Sequence, residues 1–227
     1  MTLNLFSQFI SPQVLNMDLL PLTLLWPLMV LQTKTTQLKN NRLTALLSWL
    51  MKKTTKTLTP KTSNLAQMWA PILTALLLFL AMLNMAGMLP YTYTPTTQLS
   101  MNMALAVPIW MATVIVGIRN FPTRSIAHLL PEGTPTPLIP ILIMIETVSL
   151  LIRPIALGVR LTANLTAGHL LLHLISLATI TIMNTHPAAS MFTATLLILL
   201  TALEMAVALI QAYVFSLLVS LYLQENT

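Results

Sequence analysis

Residues 138–182 form an almost continuously apolar stretch in which Pro154 is the main interior helix breaker. As an α-helix this stretch would measure about 67 Å, more than twice the roughly 30 Å apolar core of a bilayer. An upright helix cannot place all of these residues in lipid. The sequence therefore predicts a segment that is strongly tilted, bent or broken.

The composition places the whole chain among integral membrane proteins. Charged residues make up 7% of the 227 residues, against about 25% in soluble domains, and hydrophobic residues make up 56%. The absence of cysteine excludes disulfides, thiolate metal sites and a cysteine nucleophile. Neither GxxxxGK[ST] nor GxGxxG occurs, so the chain carries no known nucleotide-binding signature.

Hydropathy predicts an all-α integral membrane protein with five membrane-embedded helical segments and one amphipathic surface helix. The surface helix is predicted at residues 43–51, which are apolar, too short to span and flanked by basic residues. The last two embedded segments form a long tilted hairpin with a turn at 183–190. The chain is expected to be a single domain, 1–227, with a first span at 14–31, a basic segment at 32–67, a helical hairpin at 68–118, a connector at 119–137 and the long hairpin at 138–227.

The basic residues are concentrated on one side of the predicted membrane topology. Seven of the eleven lie between residues 34 and 61, in a stretch without acidic residues, and Arg119 and Arg124 fall on the same side. The positive-inside rule places these loops and the C-terminus on the cytoplasm-like side and the N-terminus on the opposite side. We interpret the net charge of +6 as a contact with anionic lipid and not as nucleic-acid binding.

A few ionisable residues lie inside the apolar segments, where charge is costly. A central arginine costs about 2.5–3.5 kcal/mol on insertion scales, so intramembrane charges are functional candidates by default. The candidates are Glu146, Arg153, Arg160, His169, His173 and Glu204.

The spacing of these residues predicts two polar stripes. Glu146, Arg153 and Arg160 are seven residues apart and share one face of a helix, and Asn164 follows one turn later. On the last helix a second stripe contains Glu204, Gln211 and Tyr222. Two such stripes on facing helices would form a path for a small ion or a proton.

The side-chain chemistry favours protons. Carboxylates and imidazoles exchange protons near neutral pH, whereas arginine keeps its charge. Arg160 would therefore be a barrier between Glu146 on the basic-loop side and His169 with Glu204 on the other. A proton passes such a barrier only on a carrier, and this chain has no spare acid for that task.

Two of these candidate residues also have a purely structural interpretation. Arg153 precedes Pro154 and could reach the interface or pair locally with Glu146. His173 could be a hydrogen-bonded helix-packing residue. No His/Glu pair has the spacing of a metal site such as HExxH, and the sequence predicts no metal, no cofactor and no catalytic residue.

The run from Arg160 to His169, RLTANLTAGH, resembles the signature of subunit a of F-type ATP synthases. The resemblance covers essentially the whole chain. Residues 134–173 and 203–227 are similar to the vertebrate mitochondrial form. The resemblance implies a proton-conducting stator subunit of the mitochondrial inner membrane, with basic loops and C-terminus in the matrix and with two offset half-channels.

The resemblance also implies roles for individual residues. Arg160 corresponds to the essential arginine that faces a rotating ring of c subunits, and Asn164 and Gln211 to its polar neighbours. His169 and Glu204 resemble the inlet pair, which is exchanged relative to bacterial members.

Glu146 and Tyr222 resemble residues near the outlet. The implied partners are the c-ring, other membrane and peripheral-stalk subunits, inner-membrane lipids and the transported protons. The chain itself is not expected to be an enzyme.

Two other functions stay open on the sequence alone. A self-contained transporter would conduct ions as a purified chain and would usually show internal repeats, which are not visible. A structural subunit of another respiratory complex would tolerate a neutral residue at position 160.

Overall fold

The computed structural model describes residues 9–14, 17–31, 42–58, 64–89, 92–120, 122–123 and 138–226. The elements in chain order are β1 (Gln13–Val14), β2 (Met17–Asp18), α1 (Leu20–Leu31), α2 (Arg42–Leu58), α3 (Asn64–Gly87), a 3-10 helix (Pro95–Thr97), α4 (Leu99–Asn120), α5 (Ile139–Thr185) and α6 (Pro187–Asn226). Strands β1 and β2 form one short antiparallel pair. Apart from this two-residue pair, the regular elements in these ranges are helical, which confirms the predicted α-helical class.

Within the described residues, four helices are long and apolar enough to cross a membrane. The qualifying segments are Met68–Gly87, Leu99–Asn120, Ile139–Met183 and Pro187–Glu225. The first two correspond to the predicted hairpin at 68–118, and the last two to the long hairpin. Large apolar side chains such as Ile141, Met144 and Ile198 are more than half exposed on them, so lipid or other proteins must cover these surfaces.

The first predicted span, residues 14–31, differs in the structure. Helix α1 starts only at Leu20 and has 12 residues, which gives it a length of about 18 Å. Residues Met17–Asp18, which precede it, are in β2. The structure therefore supports four long candidate spans, and the fifth membrane-embedded segment stays a prediction.

The surface helix is longer than the predicted 43–51. Helix α2 covers Arg42–Leu58, and its end is anchored because Leu58 is buried against the core. Trp49 is exposed, and the Lys53 ammonium lies 4.9 Å from the centre of its ring. The helix thus presents an apolar and basic outer face, as an interfacial helix does. Lys34, Lys39, Lys61 and Arg124 lie outside the described residues.

The long hairpin consists of two exceptionally long helices. Helix α5 has 47 residues and continues through the buried Pro154, which makes it about 70 Å long. The predicted turn at 183–190 is reduced to His186, whose backbone is extended (φ −140°, ψ 95°). Pro187 favours this sharp stop, because a proline disfavours helical geometry in the residue before it and is favoured in the first turn of the next helix.

The core of the bundle lies where α3 and α5 meet α6. Leu157, Leu161 and Leu165 follow each other at steps of four on α5 and are all buried. Opposite them, α6 contributes a row of small residues that are 0–4% exposed, at steps of four: Ala208, Ala212, Ser216 and Ser220. Small residues let helix backbones approach closely, which is how membrane helices associate without a hydrophobic driving force between them.

A side-chain hydrogen bond joins α3 to this row. The Asn84 side-chain amide is buried and donates from Nδ2 to the backbone oxygen of Ala208 at 3.1 Å. A second buried amide, Asn102 on α4, donates to the Thr96 carbonyl at 2.7 Å and fixes the connector between α3 and α4. These bonds hold α3 and the connector in position beside the hairpin.

Candidate functional site

The polar residues of the hairpin fall into four groups along its length, and the arginine at position 160 lies in the middle. Arg160 is exposed on α5, although Leu157 and Leu161 beside it are buried. Arg160 lines a narrow crevice between α5 and α6 together with Gln211. The crevice is too tight to hold a water molecule. The structure thus brings Arg160 and Gln211 together, as the two stripes predicted.

The second group lies one to two turns further along α5. Asn164 and Gly168 of α5 and Glu204 of α6 line a cavity of about 270 Å³, whose other walls are apolar. Glu204 is 6% exposed, and both of its carboxylate oxygens lack a hydrogen-bond partner among the described residues. Burying a carboxylate without partners is costly, so water or a proton must satisfy it in the working protein.

Gly168 makes the position of Glu204 possible. A Cβ atom built on Gly168 would lie 2.8 Å from Cδ of Glu204, which is closer than real side-chain contacts allow. Sequence reasoning did not select Gly168 as a site residue. The available signal was that glycine in a helix interior costs about 1 kcal/mol relative to alanine, so its presence there usually has a packing reason.

The third group contains both histidines of α5. His169 and His173 line a cavity of about 540 Å³, with the polar side chains of Ser176, Thr201 and Thr94. Nδ1 of His173 is buried and lacks a hydrogen-bond partner among the described residues. The cavity is partly open, and its lining combines imidazoles and hydroxyls that can hold water.

His169 and Glu204 occupy neighbouring cavities and not a common one. Leu172 lines both cavities and therefore lies at their boundary. His169 and Glu204 form one pair in the prediction from the sequence, whereas the structure places the apolar side chain of Leu172 at the boundary between their cavities. Asn164 shares the cavity of Glu204 and so connects the second group with Arg160, one helical turn away.

The fourth group lies at the opposite end of the hairpin. Arg153 is hydrogen-bonded through Nη1 to Oε2 of Glu225 on α6, and its Nη2 lies 3.9 Å from Oε1 of Glu146. The guanidinium is also 5.2 Å from the centre of the Tyr222 ring, within range of a cation–π contact. Of the two local interpretations of Arg153, the structure shows the ion pair with Glu146.

Glu225 was missed by the sequence reasoning. It lies three residues after Tyr222, on the same face of α6, and this spacing was the available signal. No three His, Asp or Glu side chains among the described residues are grouped so that they could hold a metal ion.

Comparisons with known proteins show the family of the chain. The sequence profile of the family described as ATP synthase A chain matches residues 15–224. A protein of Struthio camelus named ATP synthase F(0) complex subunit a is 60% identical over 226 residues, 100% of each chain. Proteins with the same name from Salmo salar, 57% identical over 100% of each chain, and Ornithorhynchus anatinus, 55% identical over 99% of each, are also similar. The chain belongs to the ATP synthase A chain family.

Proposed function

We propose that this chain is the proton-conducting stator subunit of the membrane sector of mitochondrial ATP synthase. It supplies two offset half-channels that load and unload protons on the carboxylates of a c-subunit ring, and Arg160 separates them. The family membership supports the assignment. The single observation that carries the mechanism is the order along the hairpin, with Arg160 between two separate sets of proton-exchanging groups.

The groups on the two sides of Arg160 cannot pass a proton to each other directly. His169 is nine residues beyond Arg160, about 13 Å along the helix, and Glu146 is fourteen residues before it, about 21 Å. The crevice at Arg160 is too narrow for a water molecule, and a guanidinium does not release its proton. A proton therefore needs a mobile carboxylate that moves past Arg160 from outside the chain.

The exposure of Arg160 indicates where that carboxylate arrives. Within the described residues no carboxylate forms an ion pair with Arg160, which lies on the outer surface of the hairpin. Three large apolar residues there or nearby are also exposed, with 43–55% of their surface accessible: Val159, Leu203 and Ile210. An intramembrane charge next to exposed apolar surface fits a partner that is apolar and carries an acidic side chain. A ring of c subunits has this chemistry.

The direction of the two half-channels follows from the charged loops. Arg119 at the end of α4 and the basic face of α2 belong on the matrix side by the positive-inside rule. The group around Glu146 and Tyr222 then faces the matrix as the outlet. The cavities of His169, His173 and Glu204 face the intermembrane space as the inlet.

The energy for rotation comes from proton movement and not from covalent chemistry in this chain. Each proton that crosses the membrane releases about 2.3 kcal/mol per 100 mV of potential. The chain is therefore a non-catalytic subunit that acts in a complex with the c-ring, other membrane and stalk subunits and inner-membrane lipids.

The test is ATP-driven proton pumping in vesicles that carry the assembled complex, with Arg160→Ala compared with the unaltered chain. Assembly is checked on a native gel. We expect pumping to be lost in an intact complex.

Arg119→Ala, which removes an exposed arginine at the end of α4, is the matched control and should pump. Near-normal pumping by Arg160→Ala would contradict the proposal and indicate a structural role for the chain. Ion flux through the purified chain alone would instead indicate a self-contained transporter.

A further inference from the structure

The group around Arg153 contains two carboxylates and one cation, and the two carboxylates are not equivalent. Glu225 accepts a hydrogen bond from Arg153, whereas the Glu146 oxygen at 3.9 Å is beyond hydrogen-bonding distance. The guanidinium has five N–H donors, and the two carboxylates lie at different nitrogens, Nη1 for Glu225 and Nη2 for Glu146. Its present orientation favours Glu225.

The aromatic ring of Tyr222 supports that orientation. Tyr222 and Glu225 are three residues apart on one face of α6, and both contact the guanidinium. The Tyr222 ring and the Glu225 carboxylate, both on α6, together hold the Arg153 guanidinium in place. Glu146 contacts the guanidinium from α5, the helix that also carries Arg153.

This inequality has a chemical consequence for proton exchange. A carboxylate oxygen that accepts a charge-assisted hydrogen bond from a guanidinium is occupied by that donor and is less available to a proton donor. Glu225 is engaged in such a bond. Glu146 is not. Both side chains are partly exposed, 31% for Glu146 and 43% for Glu225, so the hydrogen bond and not solvent access distinguishes the two carboxylates.

We propose that Arg153 is a positioning residue, that Glu225 is its hydrogen-bonded counter-ion, and that this pairing leaves Glu146 in the looser ion pair, where it can exchange the proton at this end of the path. The inference rests on the proposed function, in which Glu146 belongs to the outlet. The two stripes give Arg153 no role and do not include Glu225. The inference assigns a role to each of these residues.

The test compares Glu225→Gln with the double variant Arg153→Gln/Glu225→Gln in assembled complexes. Removal of the Glu225 charge releases Arg153 to bond with Glu146, so ATP-driven proton pumping should fall at least fivefold. Removal of Arg153 as well frees Glu146 again and should restore pumping to within threefold of the unaltered complex. A double variant as slow as Glu225→Gln in an assembled complex would overturn the inference, because Glu225 would then be needed for its own sake.

Two controls make the result specific. Gln224→Ala changes the exposed neighbour of Glu225 and should pump like the unaltered chain. Arg160→Ala is measured in the same preparation. If it still pumps, the proposed function fails, whereas if it does not pump and the double variant is not rescued, only the role of Arg153 fails.

A charge-swapped variant covers the case in which Glu225→Gln does not assemble. Arg153→Glu with Glu225→Arg keeps one ion pair between the same two positions and leaves Glu146 unengaged. Pumping within fivefold of the unaltered complex supports the inference. An assembled but inactive complex, or failure of this variant to assemble as well, overturns it by making the contact a structural clamp.

Discussion

Gly168 of α5 packs directly against the carboxylate of Glu204 on α6, at the wall of a cavity of about 270 Å³. The contact depends on the missing side chain of glycine. It places a buried carboxylate at the boundary between the two long helices, one turn beyond Asn164 and close to the exposed face that carries Arg160.

Gly168→Ala tests this contact. The added methyl group would lie 2.8 Å from Cδ of Glu204, so the carboxylate must move or the helices must separate. We expect proton pumping to fall at least tenfold in complexes that still assemble.

Gly158→Ala is the matched control, since a methyl group there would meet mainly the flexible Met103 side chain, 2.7 Å away at its sulfur. It should retain most of its activity. Equal effects of the two substitutions would show that helix packing in general, and not the position of Glu204, limits pumping.

Glu204→Gln tests whether the buried carboxylate exchanges protons. Glutamine has almost the same shape but cannot take up and release a proton. We expect an assembled complex with pumping reduced at least tenfold, measured as ATP-driven acidification of vesicles. Glu204→Asp, which keeps a carboxylic acid, should retain more activity than Glu204→Gln. The reverse order would contradict a proton-exchanging role.

Asn84→Leu tests the hydrogen bond between α3 and α6. The substitution removes the bond to the Ala208 carbonyl, and interhelical hydrogen bonds in membrane proteins contribute about 0.6–1.7 kcal/mol. We expect the complex to dissociate at a lower temperature on a native gel.

Asn120→Leu, at the exposed end of α4, is the control and should leave the dissociation temperature unchanged. An Asn84→Leu complex as heat-resistant as the control would show that the bond contributes little.

Ala212→Leu tests the close approach of the helices at α6. Ala212 is 0% exposed, so a larger side chain must displace the packed core, and overpacking costs about 1–3 kcal/mol. We expect less assembled complex on a native gel. Ala194→Leu places the same side chain at an exposed position of α6 and should assemble normally. Normal assembly of both variants would contradict a close-packed interface at Ala212.

The long hairpin and its two polar stripes were predictable because they depend on helical periodicity alone. The length of residues 138–182 exceeds the bilayer, and the step of seven from Arg153 to Arg160 keeps both on one face. The start of α1 and the length of the turn at His186 were less predictable. Both depend on local geometry, namely the β1–β2 pair and the proline at position 187.

The sequence by itself determined the helical class, the membrane environment and the ionisable residues placed inside apolar helices. It could not determine that Glu225 is the hydrogen-bonded partner of Arg153, or that Leu172 lies between the cavities of His169 and Glu204. Periodicity fixes which face of one helix a residue occupies. Contacts between helices depend on the register in which α5 and α6 pack, and that register involves the small residues of α6 and the contact between Gly168 and the Glu204 side chain.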